Sequence, residues 1–460
     1  MNLPDGPLTP AFLQTLHWIA RPLEFLDSCS QRYGDVFTLR RDKFLPAVYF
    51  SNPQAIQEIF TANPELFDSG RGNGMIRLLL GEHSLVLLDG DRHQRQRRLL
   101  TPPFHGERMR VYGKLICDIT EQVMSQWTLG EPFCVRSSMQ EISLRVILHA
   151  VFGLHEGQRC EQLRQLLSSL LDSIGSPLSS SLLFFRSLRR DLGSWSPWGR
   201  FLRQQQQINE LIYAEIQQRR EQPDSSRTDI LTLLMSARDE TGKPLTDVEL
   251  RDELLTLLFS GHETTTTALA WALYWINHLP EVRSRLLEEL DTLGHAFDPS
   301  AIARLPYLTA ICQETLRIYP ISLVTLARIV KAPLQLMGYQ FEPGTVLLPC
   351  IYLTHQREDL YPDPKRFKPE RFLERQFSPY EYLPFGGGNR SCIGMAFAQF
   401  EMKLVLATIM REKQLALADR RPVKPVRRGF TIAPPVRMRM VAIGHRQNTL
   451  GEALIGSKRV

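Results

Sequence analysis

An uninterrupted helical pattern from Thr246 to about His278 requires a single helix of some thirty residues. At 1.5 Å per residue it is about 45 Å long, enough to cross a whole domain. Its ends are marked. Thr246 and Glu249 stand at capping-box spacing, so that hydroxyl and carboxylate each satisfy a backbone donor. Pro244 precedes the helix and Pro280 stops it. The 460 residues allow two to four domains or one large enzyme domain.

The pattern is mostly helical from about 107 to 290 and again from 394 to 413. Short β-like runs, Val36–Leu39 and Ala47–Phe50, stand among Pro and Gly in the first sixty residues. More β-like runs fill 327–354, punctuated by Glu342-Pro343-Gly344. No internal repeat is visible. Residues 355–395 are irregular and rich in Pro, Gly, Arg and aromatics, and so long an irregular stretch is usually functional. Ser176–Trp198 reads as a loop between helices. Its Phe184, Phe185, Trp195 and Trp198, mixed with Arg186, Arg189 and Arg190, also suit a lid or peripheral contact with a membrane surface. The last fifteen residues, 446–460, read as a polar tail.

The chain is 43% hydrophobic and 23% charged, with a formal charge of +6. That excess is too small over this length to indicate nucleic acid, though a local basic patch would suit an acidic protein partner. Seven cysteines at unpaired spacings argue against a disulfide framework, and the absence of C-x-x-C argues against a zinc ribbon or iron–sulfur cluster. A reducing, cytoplasmic setting fits best. We expect no signal peptide, because the N-terminus lacks basic and apolar regions, and no transmembrane helix, because no run of about 18 apolar residues occurs.

The irregular stretch contains Phe385-Gly-Gly-Gly-Asn-Arg390-Ser-Cys392-Ile-Gly394. Glycines let a backbone turn tightly and approach a flat ligand. A cysteine just before a helix meets the helix dipole and free N–H groups, which favour a thiolate. Alone, Cys392 reads as an inert buried cysteine in a Gly-rich turn. On the long helix, Ser260-Gly-His-Glu263-Thr264 runs into four consecutive threonines, poor mid-helix residues because they are β-branched and their hydroxyls compete for carbonyls. Local violations of this kind often mark function, although a tolerated polar patch explains them too. Glu314 and Arg317 share a helix face, and His93 and Arg97 are one turn apart within a basic run.

Taken together, these motifs resemble the cytochrome P-450 superfamily over about residues 20–445. Phe385–Gly394 matches its F-x-x-G-x-R-x-C-x-G signature at every fixed position. The resemblance implies a mainly α fold with small β-sheets, a single large domain over 1–445, and heme b ligated by Cys392. It implies that Arg390, Arg97, His93 and Arg328 reach the heme propionates, although His93 stands where many members have Trp. Phe385 would pack near the sulfur, and Gly386 and Gly261 would let the backbone approach the cofactor. Glu314, Arg317 and Arg371 would form a buried network holding the ligand loop. Thr264 would donate a hydrogen bond to dioxygen and Glu263 would relay protons from solvent; Ser260 departs from the usual Ala or Gly.

The implied reaction takes R–H, O2, two electrons and two protons to R–OH and water. Family pocket positions read apolar here (Leu78, Leu79, Leu87, Leu258, Phe259, Leu323, Val324, Phe430 and Ile432), although most would serve equally as core. They suit a small hydrophobic substrate: a long-chain fatty acid, alkane or terpenoid, with Arg71 or Arg77 meeting a carboxylate. No flavin or nicotinamide fingerprint is present, so electrons must come from a separate ferredoxin or flavodoxin and its reductase. Arg390, Lys403, Arg411 and Lys413 are candidates for a basic docking face. A peroxide-driven peroxygenase would share fold and thiolate, but usually lacks the Glu-Thr pair. A non-catalytic heme sensor would need no relay.

Overall fold

The computed structural model describes residues 3–446 apart from 41–44, 105, 107, 154–156, 176–189, 194, 225, 295–297 and 420. Helices of nine residues or more are α1 (Ala11–Ala20), α2 (Pro22–Tyr33), α3 (Pro53–Thr61), α4 (Gly90–Leu100), α5 (Arg108–Met124) and α6 (Val135–Phe152). They continue with α7 (Gln158–Gly175), α8 (Pro197–Glu221), α9 (Asp247–His278), α10 (Pro280–Asp291), α11 (Pro306–Ile318) and α12 (Met395–Glu412).

The 32-residue α9 is the axis of the molecule. Thr246 and Glu249 form the capping box: Glu249 N–H donates to Thr246 Oγ1 at 3.2 Å, and Thr246 N–H to Glu249 Oε2 at 2.8 Å. Apolar residues occur all round α9, as a central helix requires, and the side chains between Leu250 and Ile276 are mostly buried. It packs chiefly against α6, with α12, α11 and α8 on other sides. Trp271 is fully buried and donates its indole N–H to Ile432 O at 3.1 Å. This packing, not threonine-rich local propensity, keeps the helix continuous through Thr264–Thr267.

Strands β1 (Val36–Leu39) and β2 (Ala47–Phe50) coincide with the two β-like runs. With β3 (Phe67–Asp68), β5 (Arg328–Val330) and β8 (Val346–Pro349) they form one sheet in the order β1-β2-β8-β5-β3. The sheet joins the two ends of the chain: β2 pairs with β8 in parallel, Ala47 opposite Val346. Both strands are buried at every residue, which explains their continuous apolar sequence. Strands β4 (Pro132–Cys134), β12 (Arg439–His445) and β9 (Lys413–Leu417) make a second sheet. Hairpins pair β6 (Leu334–Leu336) with β7 (Tyr339–Phe341) and β10 (Val426–Arg428) with β11 (Thr431–Ala433).

The sequence reading missed α1, α2 and α3, treating residues 1–60 as loops and strands. Only α3 had a clear start signal, since Asn52 accepts from Gln54 N–H and Ala55 N–H just before Pro53. The loop expected at Ser176–Trp198 and the polar tail lie mainly outside the described residues. At the loop's end Trp195 is exposed, and Trp198 is buried within α8. Among the described residues no helix is long and apolar enough to cross a membrane.

Candidate functional site

Cys392 lies between a one-turn helix, Gly388–Arg390, and α12, whose N-cap is Gly394. Its N–H donates to Phe385 O at 2.9 Å, closing the loop. Gly386 and Gly388 take positive φ, 67° and 63°. At Gly387 an added Cβ would lie 2.2 Å from the ring of Phe60, so this glycine is fixed by contact with α3.

Cys392 is exposed, yet crowded enough that desolvation raises its pKa. The two observations agree if the sulfur faces an interior space rather than bulk solvent. Gly394 N–H and the charge of Arg97 work the other way, favouring the thiolate.

Four groups able to carry positive charge surround this space. His93 and Arg97 lie on α4, Arg328 on β5, and Arg390 beside the cysteine. Burial lowers the pKa of all four, and their mutual repulsion adds to it: Arg390 and Arg97 act on His93, Arg97 on Arg390, and Arg390 on Arg328. Arg97 donates to Ser391 O and Oγ at 2.8 and 2.9 Å. Arg328 donates to Leu326 O and Gly387 O and lies over Phe60. Arg390 donates to Leu85 O and Leu88 O and pairs with Asp89 at 2.5 Å, while its buried Nε has no partner. A dianionic group would offset the charge of the three arginines, so the donor set fits a heme with two propionates and a sulfur ligand. Arg390 is more heavily committed to the 85–89 loop than the sequence implied, and sequence reasoning missed Asp89 altogether.

On α9 the stretch from Phe259 to Thr264 is half-open, apart from buried His262, although the helix is central. Ser260 is exposed, and Thr264 Oγ1 donates to its carbonyl at 2.6 Å. At Gly261 an added Cβ would come within 2.9 Å of Ile147, so this glycine lets α6 approach. Glu263 does not stand toward solvent. Arg136 holds its Oε2 at 2.6 Å, Arg428 lies 3.6 Å from its Oε1, and Arg428 also pairs with Asp172 on α7. Neither arginine had a sequence signal, because each reaches Glu263 only through tertiary packing.

Behind the ligand loop, Glu314 and Arg317 are fully buried and paired at 2.6 Å. Arg371 meets the same carboxylate at 3.2 Å. Arg317 also donates to His355 O at 2.8 Å and Pro364 O at 2.9 Å. His355, which sequence reasoning overlooked, accepts from Leu383 N–H at 3.0 Å, two residues before Phe385. A continuous polar chain therefore runs from α11 to the ligand loop.

Burial, reinforced by nearby arginines, pushes the imidazoles of His262 and His355 down to about 3. The unfolded chain takes up a proton on each near pH 6.5, which the folded chain refuses until about pH 3. Stability therefore falls as pH drops through that window, by about 1.4 kcal/mol per pH unit for each histidine. Urea midpoints at pH 7 and pH 5 measure this. His355→Gln should reduce the difference, and an unchanged difference would place the acid lability elsewhere.

The four cations expected on a basic face do not stand free on the surface: Arg390 and Lys413 are buried, Lys403 Nζ donates to Ala303 O, and half-buried Arg411 donates to Gly294 O. Arg390 and Lys403 are used as hydrogen-bond donors inside the fold. Of the apolar pocket positions, Leu79, Leu258, Leu323 and Ile432 are core, whereas Leu78, Leu87, Phe259 and Val324 are half-buried and Phe430 is exposed. All seven cysteines are free.

The family model described as Cytochrome P450 matches residues 4–439. Cytochrome P450 135B1 of Mycobacterium tuberculosis is 38% identical over 435 residues, covering 94% of this chain and 90% of that one. Cytochrome P450 138 of Mycobacterium bovis is 33% identical over 436 residues, covering 94% and 95%. Among solved structures, retinoic acid-bound cyanobacterial CYP120A1 superposes with a TM-score of 0.82 at 26% identity, over 95% of this chain and 98% of that one. The heme domain of cytochrome P450DA gives a TM-score of 0.84 at 23% identity, over 97% and 98%, a likeness of fold.

Proposed function

The chain belongs to the cytochrome P450 family, and from that premise we propose that it hydroxylates a long-chain fatty acid or terpenoid, drawing electrons from a separate ferredoxin or flavodoxin and its reductase. Members of the family bind heme b, and the family supports an oxidoreductase of the monooxygenase class. The observation that carries the reading is the thiol of Cys392 open to an interior space among four basic groups. We take residues 1–445 as the catalytic domain, with the cytoplasm as its setting.

Heme b held by Cys392 would supply the activation of O2, one oxygen atom entering the substrate and the other leaving as water. This chain's residues would do the rest. Cys392 gives the sulfur ligand, with Gly394 N–H and Arg97 favouring its anionic form. His93, Arg97, Arg328 and the unpartnered Nε of Arg390 hold the acidic edge. Thr264 keeps its proton on Ser260 O, ready to turn it toward the site. Glu263, held by Arg136, would relay protons from solvent once released. The half-buried apolar residues exclude water and take the hydrocarbon.

The substrate class rests on that apolar lining and on the retinoic acid, a terpenoid carboxylate, bound in the related CYP120A1. Arg71 is the better partner for a carboxylate, because Arg77 stands 3.8 Å from Glu82. The Glu263–Thr264 pair favours O2 over peroxide as oxidant.

The test is the difference spectrum of reduced protein with and without carbon monoxide. A Soret band near about 450 nm is expected for thiolate ligation. Fatty acids and terpenoids should then shift the iron spin state. No Soret band in cells supplied with heme precursor would overturn the reading, and a band without any such spin shift would overturn the substrate class.

A further inference from the structure

The loop 81–88 is held from both sides. On one side Arg390 donates to Leu85 O at 3.3 Å and Leu88 O at 2.6 Å. On the other it is tied to α9. Asp252, fully buried, accepts the N–H of His83 at 2.8 Å. Thr256 Oγ1 lies 2.7 Å from the hydroxyl of Ser84, and both residues are buried. Ser84 then organises the loop, its hydroxyl accepting Val86 N–H at 3.3 Å and its carbonyl Leu87 N–H at 2.8 Å. The approach at Gly81 is closed to any side chain: an added Cβ would lie 2.0 Å from Asp252 Oδ1, and φ is +85°.

This attachment adjoins the site. Thr256, Ser260 and Thr264 follow one another at one-turn spacing on α9. The loop therefore bridges the segment of α9 that leads to Thr264 and the arginine two residues from Cys392. Between these anchors it carries Leu85 and Leu88, which are buried, and Val86 and Leu87, which are half-buried. Such burial of polar groups is costly unless each is bonded; here Asp252 meets His83 N–H and, at 2.9 Å, Arg251, while Thr256 meets Ser84 and Asp252 O. Glu253, also fully buried, lies beside Leu85 N–H and Gln96, and burial raises its carboxyl well above the usual carboxylate range.

We propose that Asp252 and Thr256 are specificity-determining positioning residues, which set the shape of the pocket through the 81–88 loop. The proposal rests on the heme and apolar-substrate reading above.

The experiment uses holoenzyme and two kinds of spectral titration. Imidazole reports access to the iron alone; a bulky triaryl-substituted imidazole and fatty acids from decanoic to octadecanoic report the pocket. In Thr256→Val and Asp252→Ala, imidazole affinity should stay at the parent value. Affinity for the preferred fatty acid and for the bulky azole should fall about tenfold, in keeping with loss of one buried hydrogen bond, and the chain-length preference should flatten. Asp252→Asn keeps an acceptor for His83 N–H and should restore most of the affinity. If Asp252→Ala does not fold, Thr256→Val and Ser84→Ala carry the test, since each removes one hydroxyl. Parent-like affinities for every bulky ligand would overturn the proposal. If the parent binds no fatty acid, the substrate reading fails while the bulky azole still tests the loop. If imidazole gives no shift, it is the heme reading that fails.

Discussion

Cys392→Ser should abolish the band near about 450 nm and the monooxygenase activity with it, leaving at most a band near about 420 nm. Serine keeps the size of the side chain and the Phe385 O bond made by the backbone, so the loop should persist. What it removes is a group that can be deprotonated here and ligate iron, a requirement of any metal-bound thiolate. The other cysteines stand elsewhere: Cys29, Cys117, Cys312 and Cys350 are buried in the core, Cys160 is on α7 and Cys134 in β4. Cys134→Ser, far along the chain in β4, should leave the spectrum unchanged. A full 450 nm band in Cys392→Ser would show that another residue ligates the iron.

Arg317→Ala should be the most damaging change away from the ligand. It leaves Glu314 fully buried with only Arg371 at 3.2 Å and the Lys368 N–H at 2.8 Å, and frees carbonyls at His355 and Pro364. Stranding one member of a buried ion pair costs about 3–5 kcal/mol. Because the network ends on Leu383, the loop should loosen as well, so heme content per chain should fall along with the urea midpoint. Arg317→Lys should rescue little, since an ammonium cannot match the two-pronged contact with Glu314. Arg285→Ala removes an exposed partner of Glu370 and should cost under about 1 kcal/mol. Equal losses in the Arg317 and Arg285 variants would refute the network's role.

The elements legible in sequence were those whose signal is local. The capping box at Thr246, the buried strands at 36–39 and 47–50, and the i, i+3 pair Glu314–Arg317 all read correctly because neighbours in sequence are neighbours in space. Helices α1 and α2 were missed because neither has a capping side chain at its N-terminus. The supporting groups at the site were also missed. His355, Asp89, Arg136 and Arg428 act on partners far along the chain, and no spacing encodes those contacts. The four cations expected on a basic face were misplaced for a related reason. Residue type suggested exposure, but Lys413 and Arg390 are buried and Lys403 spends its charge on a carbonyl inside the fold.

The sheet that joins Ala47 to Val346 also dictates when the molecule can be finished. Such long-range pairing raises contact order and slows folding, because a large loop must close before the pairing brings any gain. During synthesis β2 emerges early and waits, one edge unpaired, until most of the chain has left the ribosome. The segment bearing Cys392 emerges later still. Cofactor capture therefore belongs to the last stage of folding, and a cell short of heme would accumulate a chain whose first sheet has closed around an incomplete centre.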